Sequence, residues 1–417
     1  MPKPPSNNDD TTEDDGPTAA EAAAQARALR GAAKRTTETT NALADIVQAV
    51  QARVASLHGP ADDGAGRVDK SGRRATHAAG SVDMLLAALV PALSPRPGAG
   101  SALPDSERET ILAALNGVLG SHLAKTASPL AIRMAWRHGG HTLPAHRAAL
   151  ETALPQAGEK LLVLVHDLCM NDLQWRGANG HDHGQALAAA LGFTPVYLHY
   201  DSGLHVSTNG RALAGQLAQL LQAWPRPLAR FAMVTHGTGG LVARSALHYG
   251  RAAAQHWPDR LDDLAFLGTP HHGAPPAHDG RGMRLLLVAT HCAEAFGRLA
   301  RLGSAGIADL RDGNLVDEDW LAGDRAENAT DRRTIVPLPA GPRCYAIAGT
   351  ADLQDGSKDK VPGDGVVSVA SAFGKHRLVK RTLKFPPGRQ RVFERTNHLQ
   401  LLSSLEVFEQ LRDWLGH

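Results

Sequence analysis

Residues 231–244 constrain the fold more than any other segment of the chain. The segment opens with an apolar run that ends at Val234, passes through several glycines, and closes with small and apolar residues of helical character. This order is typical of a strand that turns sharply into a helix and presents one residue at the apex of the turn. The register of the pattern places Gly237 at that apex. The rest of the chain must supply strands and helices that pack around this unit.

The chain from about residue 129 onward alternates between short apolar runs and amphipathic segments. The apolar runs are predicted to be strands, because short continuous runs are typical of strands buried on both faces of a sheet. They lie at 131–136, 160–165, 195–200, 231–234, 264–267 and 345–348, with helices predicted at 183–191, at 212–224 and near the C-terminus. These units predict an α/β fold with a doubly wound, mostly parallel sheet.

Composition divides the 417 residues into three parts. Residues 1–20 are polar and acidic, so we predict a disordered tail. Residues 21–125 carry apolar stripes at helical spacing between Gly- and Pro-rich linkers, which predicts an α-helical extension. Residues 126–417 hold the strand–helix alternation and form the predicted main domain. The alternation lapses at 275–343, where an inserted lid or cap is expected.

The apolar stripes of the helical extension have two interpretations. They pack against the main domain or against one another, or they make peripheral membrane or protein contacts. The stripes contain few bulky aromatic residues and no dense basic face, which favours packing over membrane contact. Ser106 and Glu109 have the spacing of a capping box, which predicts the start of the last helix in this part.

Charge and composition argue against several classes of function. A formal net charge of +2 gives no indication of a nucleic-acid partner. The three cysteines, Cys169, Cys292 and Cys344, form no C-x-x-C pair, which argues against a disulfide framework and favours a reducing compartment. The N-terminus has no apolar signal segment, so a cytoplasmic location is expected. The sequence has no phosphate-binding G-x-x-x-x-G-K-S/T motif, and no cofactor is predicted.

Two histidine clusters resemble metal ligands. They are His181-Asp182-His183 and His271-His272. No third and fourth ligand lies at a recognised spacing from either cluster, so no metal site is predicted. We expect both clusters to lie in polar surface loops.

Two motifs in the last part of the chain supply an acid and a base. Asp364 lies between two glycines after the strand predicted at 345–348, and His398 lies between Asn397 and Leu399 before the final helix. Loops that leave the carboxyl ends of parallel strands form the ligand-binding edge of such a sheet. Acyl transfer needs an acid that orients a histidine base, together with a nucleophile and donors for the oxyanion.

Residues 129–417 resemble bacterial lipases and esterases of the α/β-hydrolase superfamily. The resemblance rests on five motifs: Val165-His166-Asp167-Leu168-Cys169, the strand–turn–helix at 231–244, Gly268-Thr269-Pro270-His271-His272-Gly273, Gly363-Asp364-Gly365 and Asn397-His398-Leu399. It implies an α/β-hydrolase fold and a substrate that is an acyl ester or a lipid-like small molecule.

The resemblance also implies roles for individual residues. Asp364 is the implied acid and His398 the implied base of a catalytic triad. The implied donors to the oxyanion are the backbone N–H groups of Leu168 and Thr238.

The chain departs from the family pattern at two positions. The family has a serine nucleophile at the apex of the turn, where this chain has Gly237, and a His-Gly pair where this chain has His166-Asp167. Gly237 removes the attacking atom, and an ionised Asp167 would oppose negative charge on the oxyanion. His166 and His236 border the site and are expected to satisfy hydrogen bonds there. The leading prediction is a lipase/esterase-like protein that is catalytically degenerate.

Two alternatives stay open. In the first, the chain is an active hydrolase with an unorthodox nucleophile or an activated water, and the candidates are Thr235, Thr238, Ser202, Ser207 and a water held by Asp167 and His398. Ser202 and Ser207 are expected in free loops, and the Thr238 side chain is expected to point away from the apex. In the second, the chain is a pseudoenzyme that binds an acyl ligand or a protein partner. Glycine favours stability at the apex, because it adopts a left-handed backbone without strain.

Overall fold

The computed structural model describes residues 19–58, 81–94, 102–274, 281–290, 292–301, 303–321, 331–351 and 363–417. Most of the predicted disordered tail, residues 1–18, lies outside these ranges, as do the linker at 59–80 and parts of the predicted lid. Within the described ranges, no helix is both long enough and apolar enough to cross a membrane.

The core of the protein is an eight-stranded sheet. Its strands are β1 (Ala135–His138), β2 (His141–Thr142), β3 (Lys160–Val165), β4 (Thr194–His199), β5 (Arg230–His236), β6 (Asp263–Leu267), β7 (Arg343–Thr350) and β8 (Gln390–Glu394). Their order is β2-β1-β4-β3-β5-β6-β7-β8, and every neighbouring pair from β4 to β8 is parallel. β1 runs antiparallel to β4 and pairs with β2 in a short hairpin. The predicted mostly parallel sheet is confirmed.

Helices cover both faces of this sheet. The described helices are α1 (Ala19–His58), α2 (Val82–Leu93), α3 (Asp105–Lys125), α4 (Arg147–Ala153), α5 (His183–Leu191), α6 (Val206–Ala223), α7 (Gly239–Ala252), α8 (Arg281–Leu287), α9 (Ala293–Ala300), α10 (Ala305–Asp312), α11 (Asp317–Leu321), α12 (Val369–Ala372) and α13 (Leu405–Leu415). Along β3, Leu161 and Val163 belong to a hydrophobic cluster with α6 and α7, whereas Leu162 and Leu164 belong to a cluster with α5 and α13. Successive strand residues point to opposite faces, so both faces are buried.

The edge strand β8 is absent from the sequence-based prediction. Of its five residues only Phe393 is buried. A strand at the edge of a sheet pairs on one side and buries little surface, so β8 lacks the continuous apolar run that marks the central strands. The first predicted strand, at 131–136, is also displaced, because β1 begins at Ala135.

Helices α1, α2 and α3 pack into the main body of the protein. Leu43, Leu89 and Leu115, one from each helix, belong to the same buried cluster as residues of β3 and α7. This packing agrees with the favoured interpretation of their apolar stripes. A boundary between residues 125 and 126 would cut through that cluster.

The start of α3 differs from the prediction. The helix begins at Asp105 after Pro104 and has no side-chain cap, so the capping box predicted at Ser106 is wrong. Glu109 instead accepts hydrogen bonds from Arg137 at 2.8 Å and from Arg108 at 3.0 Å. A buried carboxylate of this kind is stable only with a cationic partner.

The loop that follows β3 rests directly on α3. A Cβ atom at Gly117 of α3 would lie 2.4 Å from the Cys169 Sγ, so only glycine permits this close approach. The N-terminal helices therefore help to position a loop that carries three of the sequence-predicted site residues, His166, Asp167 and Leu168.

The described part of the predicted lid at 275–343 consists of α8 to α11 and the residues that join them to β7. Arg298 of α9 forms an ion pair with Asp45 of α1. The Ser304 hydroxyl, which caps α10, also donates to the Gly117 carbonyl of α3 at 2.7 Å. These residues thus contact the N-terminal helices, and a role as a lid stays a prediction.

Candidate active site

The turn between β5 and α7 has the strand–turn–helix geometry expected for residues 231–244. β5 ends at His236, Gly237 follows with φ +52°, and α7 begins at Gly239. A left-handed backbone of this kind is strained for residues with a side chain and accessible to glycine. The Gly237 N–H donates to the Leu267 carbonyl at 2.9 Å, which fixes the turn at the carboxyl edge of the sheet.

Asp364 and His398 meet at the same edge. His398 Nδ1 lies 2.7 Å from Asp364 Oδ2, and both side chains are buried. The other carboxylate oxygen of Asp364 accepts the N–H groups of Val366 at 2.9 Å and Val367 at 2.7 Å. These bonds hold the carboxylate, and the carboxylate holds the imidazole ring in one orientation. The structure therefore brings together the residues implied as acid and base.

The Asp167 carboxylate completes this cluster. Asp167 Oδ2 lies 2.9 Å from His398 Nε2. Asp167 Oδ1 accepts the Thr238 N–H at 2.5 Å and the Thr238 hydroxyl at 2.8 Å. The groups can meet because β3 and β5 are parallel neighbours, and Asp167 and Gly237 follow their carboxyl ends.

Asp167 fills the space that a side chain at Gly237 would occupy. A Cβ atom on Gly237 would lie 2.0 Å from Asp167 Cγ, and 2.2 and 2.3 Å from the two carboxylate oxygens. A close-packed interior has no room for such an overlap. The two departures from the family pattern are therefore coupled: the observed Asp167 position requires glycine at 237, and its carboxylate lies where a serine side chain would project.

The two carboxylates determine the protonation of His398. Burial by itself would lower the pKa of His398, but the charge of Asp364 and the hydrogen bonds that the ring donates to both carboxylates raise it to about 10. Burial would likewise raise the pKa of Asp167, yet the hydrogen bond to His398 holds it below its usual range. At neutral pH an imidazolium thus lies between two carboxylates, and His398 is not a free base.

His236 and His166 support the cluster through the backbone. His236 Nε2 donates to the His398 carbonyl at 2.9 Å, and His166 Nδ1 donates to the Asp167 carbonyl at 2.8 Å. Burial lowers the pKa of His236 to about 4 and that of His166 to about 3, so both rings are neutral at pH 7. Both bonds are of the kind expected from the sequence.

The two implied oxyanion donors have different surroundings. Asp167 Oδ1 already occupies the Thr238 N–H, whereas the Leu168 N–H has no acceptor among the described residues. The expectation that the Thr238 side chain points away is wrong, because its hydroxyl donates to Asp167. After Leu168, Cys169 has φ +60°, and its N–H donates to Ser202 Oγ at 2.9 Å.

The remaining nucleophile candidates lie outside the cluster. The Thr235 hydroxyl donates to a carbonyl of β6 at 3.1 Å. Ser207 is buried in α6, where it accepts a hydrogen bond from Trp320 Nε1 at 3.1 Å, and Ser202 is buried beneath the loop after β3. Ser202 thus lies in a loop as predicted but is not free, and the loop predicted for Ser207 is wrong. None of the three is hydrogen-bonded to His398 in the described part of the chain.

The prediction of polar surface loops for the histidine clusters is wrong for His183 and His271, which are both buried. His183 Nε2 donates to the Leu401 carbonyl at 2.8 Å. His271 Nδ1 accepts a hydrogen bond from Arg244 Nη1 at 3.3 Å. Polar sequence neighbours conceal this burial, because it depends on elements distant in sequence.

Two groups of buried residues have the donor types that bind metal ions, with ligand atoms within 4.8 Å of one another: Asp167, His236 and His398, and Glu109, Asp172 and His199. In the first group, His398 is hydrogen-bonded to carboxylates on both of its ring nitrogens. In the second, Arg137 Nη1 lies 2.8 Å from Glu109 and 3.0 Å from Asp172. In each group a cationic side chain of the protein itself compensates the carboxylates.

The chain is similar to one family domain and to several solved structures. Residues 165–332 match the family described as the PGAP1-like alpha/beta domain. The mature lipase BlEst2 of Bacillus licheniformis is 17% identical over 68% of this chain and 97% of its own, with a TM-score of 0.39. Aspergillus fumigatus lipase B is 14% identical over 63% of this chain and 54% of its own, with a TM-score of 0.36. Phospholipase PlaB of Legionella pneumophila is 20% identical over 51% of this chain and 45% of its own, with a TM-score of 0.33. No curated protein sequence is significantly similar to the chain.

The sheet order and the strand–turn–helix after β5 are those of an α/β-hydrolase fold, with helices added before the sheet. Within that fold, the part that matches the PGAP1-like alpha/beta domain begins at the last residue of β3 and includes Asp167 and Gly237.

Proposed function

We propose that this lipase/esterase-like protein does not hydrolyse carboxylic esters by the serine mechanism, because a carboxylate has taken the place of the serine. The observation that carries the proposal is the position of Asp167. Its side chain fills the space beside Gly237 and binds both His398 and the Thr238 N–H. The protein is degenerate as a serine esterase, although the acid and the base lie within hydrogen-bond distance of each other.

Three consequences of this geometry oppose ester hydrolysis. Gly237 offers no attacking atom. The proton on His398 and its contact with Asp167 leave no free base at neutral pH. An attack by Asp167 on an ester carbonyl would produce an anhydride, which is less stable than the ester.

A fluorophosphonate probe tests this proposal, since it reacts with an activated serine. We expect no labelling of the natural protein at neutral pH. The double variant Asp167→Gly/Gly237→Ser should be labelled at residue 237, and the triple variant that adds His398→Ala should not. Labelling of the natural protein at any single serine, lost on His398→Ala, would contradict the proposal.

A second candidate function follows from how Asp167 is held. One oxygen of the carboxylate accepts the N–H and the hydroxyl of Thr238, and the other faces His398. Carboxylates are effective nucleophiles toward saturated carbon that bears a leaving group, and they form covalent ester intermediates. The second candidate is therefore a hydrolase in which Asp167 attacks an alkyl carbon.

The two steps of this reaction balance. In the first, Asp167 Oδ2 forms a bond to the alkyl carbon, and the leaving group departs with its electron pair. The new ester has no charge, so the carboxylate that helped to raise the pKa of His398 is lost, and the ring releases its proton to solvent. In the second, His398 takes a proton from water, and the hydroxide adds to Asp167 Cγ. The alcohol then leaves with the proton from His398. The negative charge of the second step develops on Oδ1, where Thr238 already donates.

Isotope labelling distinguishes this candidate from an inert site. With 1-bromobutane as the probe, a single turnover in water enriched in oxygen-18 should place the label in Asp167 and leave the butanol unlabelled. A His398→Gln variant should accumulate a butyl ester on Asp167, visible as a mass increase of the intact protein. If neither bromide nor a covalent adduct forms, this second candidate is wrong. The first proposal, that the protein does not use the serine mechanism, is not affected by that result.

A further inference from the structure

A cavity of about 470 Å³ lies beside α7 and is lined by none of Asp167, Asp364 and His398. We call it the basic cavity, because its charged lining residues are all cationic: Arg244, Arg333, Lys380, Arg381 and Lys384. Its remaining wall includes His271 and His272 and a run of apolar residues around 335–339. No aspartate or glutamate belongs to the lining in the described part of the chain.

Arg244 is the central feature of the basic cavity. Its side chain is buried, with a relative exposure of 3%. Its two terminal nitrogens donate to His271 Nδ1 and to the Val336 carbonyl. Among the described residues no carboxylate forms an ion pair with it, whereas its neighbour Arg333 is paired with Asp331 at 2.7 Å. A buried cation without a counter-charge is costly, so the site is suited to an anion supplied from outside.

The basic cavity has buried hydrogen-bond donors in its wall. Burial lowers the pKa of His271 well below its ordinary value, so the ring is neutral. Because its Nδ1 accepts from Arg244, its single proton lies on Nε2, which has no acceptor in the described part of the chain. The buried Nε–H of Arg244 also has no acceptor there, whereas Arg381 Nε lies 3.8 Å from Asp331 Oδ2. Two buried donors without acceptors thus lie in the wall of the cavity, beside the positive charge of Arg244.

We propose that the basic cavity binds a small organic phosphate. A phosphate group offers several acceptor oxygens and more than one negative charge, and guanidinium groups recognise it well. Lys380 and Lys384 are exposed and add positive charge at the entrance. The apolar residues opposite, including Leu315 and Ile335, suit a short carbon skeleton rather than a bare ion. The volume lies within the range of small-molecule sites. This proposal goes beyond the proposed function and does not depend on Asp167.

Binding to the full-length chain tests the proposal. Inorganic phosphate and glycerol 3-phosphate are titrated by calorimetry and by thermal unfolding, with sodium chloride at matched ionic strength as the reference. We expect both phosphates to bind and to raise the Tm, and glycerol 3-phosphate to bind more tightly because it also contacts the apolar wall. Vesicles with phosphatidic acid form a separate arm, with phosphatidylcholine vesicles as its reference.

Variants assign the binding to this cavity. Arg244→Met should weaken phosphate binding by about ten- to a hundred-fold, since it removes a buried charged donor. The double variant Lys380→Ala/Lys384→Ala changes exposed residues, so it should fold normally and weaken binding by about two- to twenty-fold. Lys125→Ala, an exposed lysine at the end of α3, is the matched control and should leave the affinity unchanged.

Three results would overturn the proposal. The first is no response to either soluble phosphate beyond that to chloride. The second is unchanged affinity in both the Arg244 and the lysine variants. The third is binding to phosphatidic acid vesicles without binding to glycerol 3-phosphate, because that result would assign the positive charge to a membrane surface.

Discussion

The candidate active site and the basic cavity both bury charged side chains, and they differ in how those charges are satisfied. At the candidate active site, His398 lies between Asp167 and Asp364 at 2.9 and 2.7 Å. At the basic cavity, Arg244 lies in the cavity wall and has no carboxylate partner among the described residues. The first site is filled by the protein's own side chain, and the second is open to a ligand.

This difference shows that the backbone of a motif and the side chains around it are separate features of a site. The turn after β5 keeps its backbone geometry, and the acid–base pair is within hydrogen-bond distance. A single carboxylate nevertheless occupies the position from which a nucleophile would act. Where the protein's own side chains pair a buried charge, the pair contributes to the stability of the fold. Where a buried charge has no such partner, it indicates a binding partner from outside the chain.

The largest effect is expected from emptying the first site. The double variant Asp167→Gly/Gly237→Ser restores a hydroxyl beside His398 and frees the Thr238 N–H. We expect its turnover of p-nitrophenyl butyrate to exceed that of the natural protein by on the order of a thousand-fold or more, because nucleophile and base act as a unit. Adding His398→Ala should return the rate to background. If the natural protein turns over the ester rapidly and keeps that rate in the His398→Ala variant, the catalytic residues lie elsewhere.

The next effect is steric and uses the Gly237→Ser single variant. Its Cβ would overlap the Asp167 carboxylate, with 2.0 Å to Cγ. We expect it to lose about 2–6 kcal/mol of unfolding free energy, from overpacking and from the left-handed backbone together. Adding Asp167→Gly should recover the steric part. Denaturant unfolding of all three proteins measures this.

Gly192→Ser is the matched control for that variant. Gly192 has φ +73°, but a Cβ there meets no other atom within 4 Å. It isolates the backbone strain, for which about 1–3 kcal/mol is expected. Equal losses in the Gly192 and Gly237 variants would mean that Asp167 moves aside easily, and the site would then be open.

The sequence predicts the frame of the first site well. The central strands follow from continuous apolar runs, and the positions of Gly237, Asp364 and His398 follow from motifs at the ends of strands. The contact between Asp167 and His398 does not follow, because it depends on side-chain direction across two neighbouring loops. The sequence did contain an indication of this contact. Compared with the family pattern, residue 167 gains a side chain and residue 237 loses one, and both residues follow adjacent parallel strands.

The second site has no sequence signal of this kind. From the sequence, Arg244 is indistinguishable from any polar residue of an amphipathic helix, and His271 is predicted to be a polar loop residue. Their burial depends on Val336 and the segment 380–384, which lie far along the chain. Edge strand β8 was missed for a related reason, since its one buried side chain gives no pattern.

The pH dependence of stability sharpens the comparison on a smaller scale. His398 has a pKa raised to about 10 from an ordinary 6.5, so its stabilising contribution is complete below pH 6.5 and is lost as the pH rises toward 10. Between pH 7 and 9 we expect the unfolding free energy to fall by up to about 1.4 kcal/mol per pH unit from this group. Asp167→Asn removes one of the two carboxylates, so its decline should be shallower.

The control for this measurement is Asp413→Asn, since Asp413 is exposed and only pairs with Arg412. It should follow the natural protein across the same pH range. Denaturant unfolding at pH 7, 8 and 9 measures all three proteins. If Asp167→Asn declines as steeply as the natural protein, His398 is not held in its charged form by Asp167.

The smallest effect is expected from Arg244→Met without added phosphate. Methionine replaces the aliphatic stem of the side chain and removes a charge that has no carboxylate partner among the described residues, so the lost hydrogen bonds and the relieved desolvation should nearly cancel. We expect the unfolding free energy to change by less than about 1 kcal/mol. Arg137→Met is the contrasting variant, because Arg137 pairs with Glu109 and Asp172, and its loss should cost about 3–5 kcal/mol. Similar large losses in both variants would mean that the protein itself balances Arg244. The basic cavity would then be a filled site like the first, with no place for an anion.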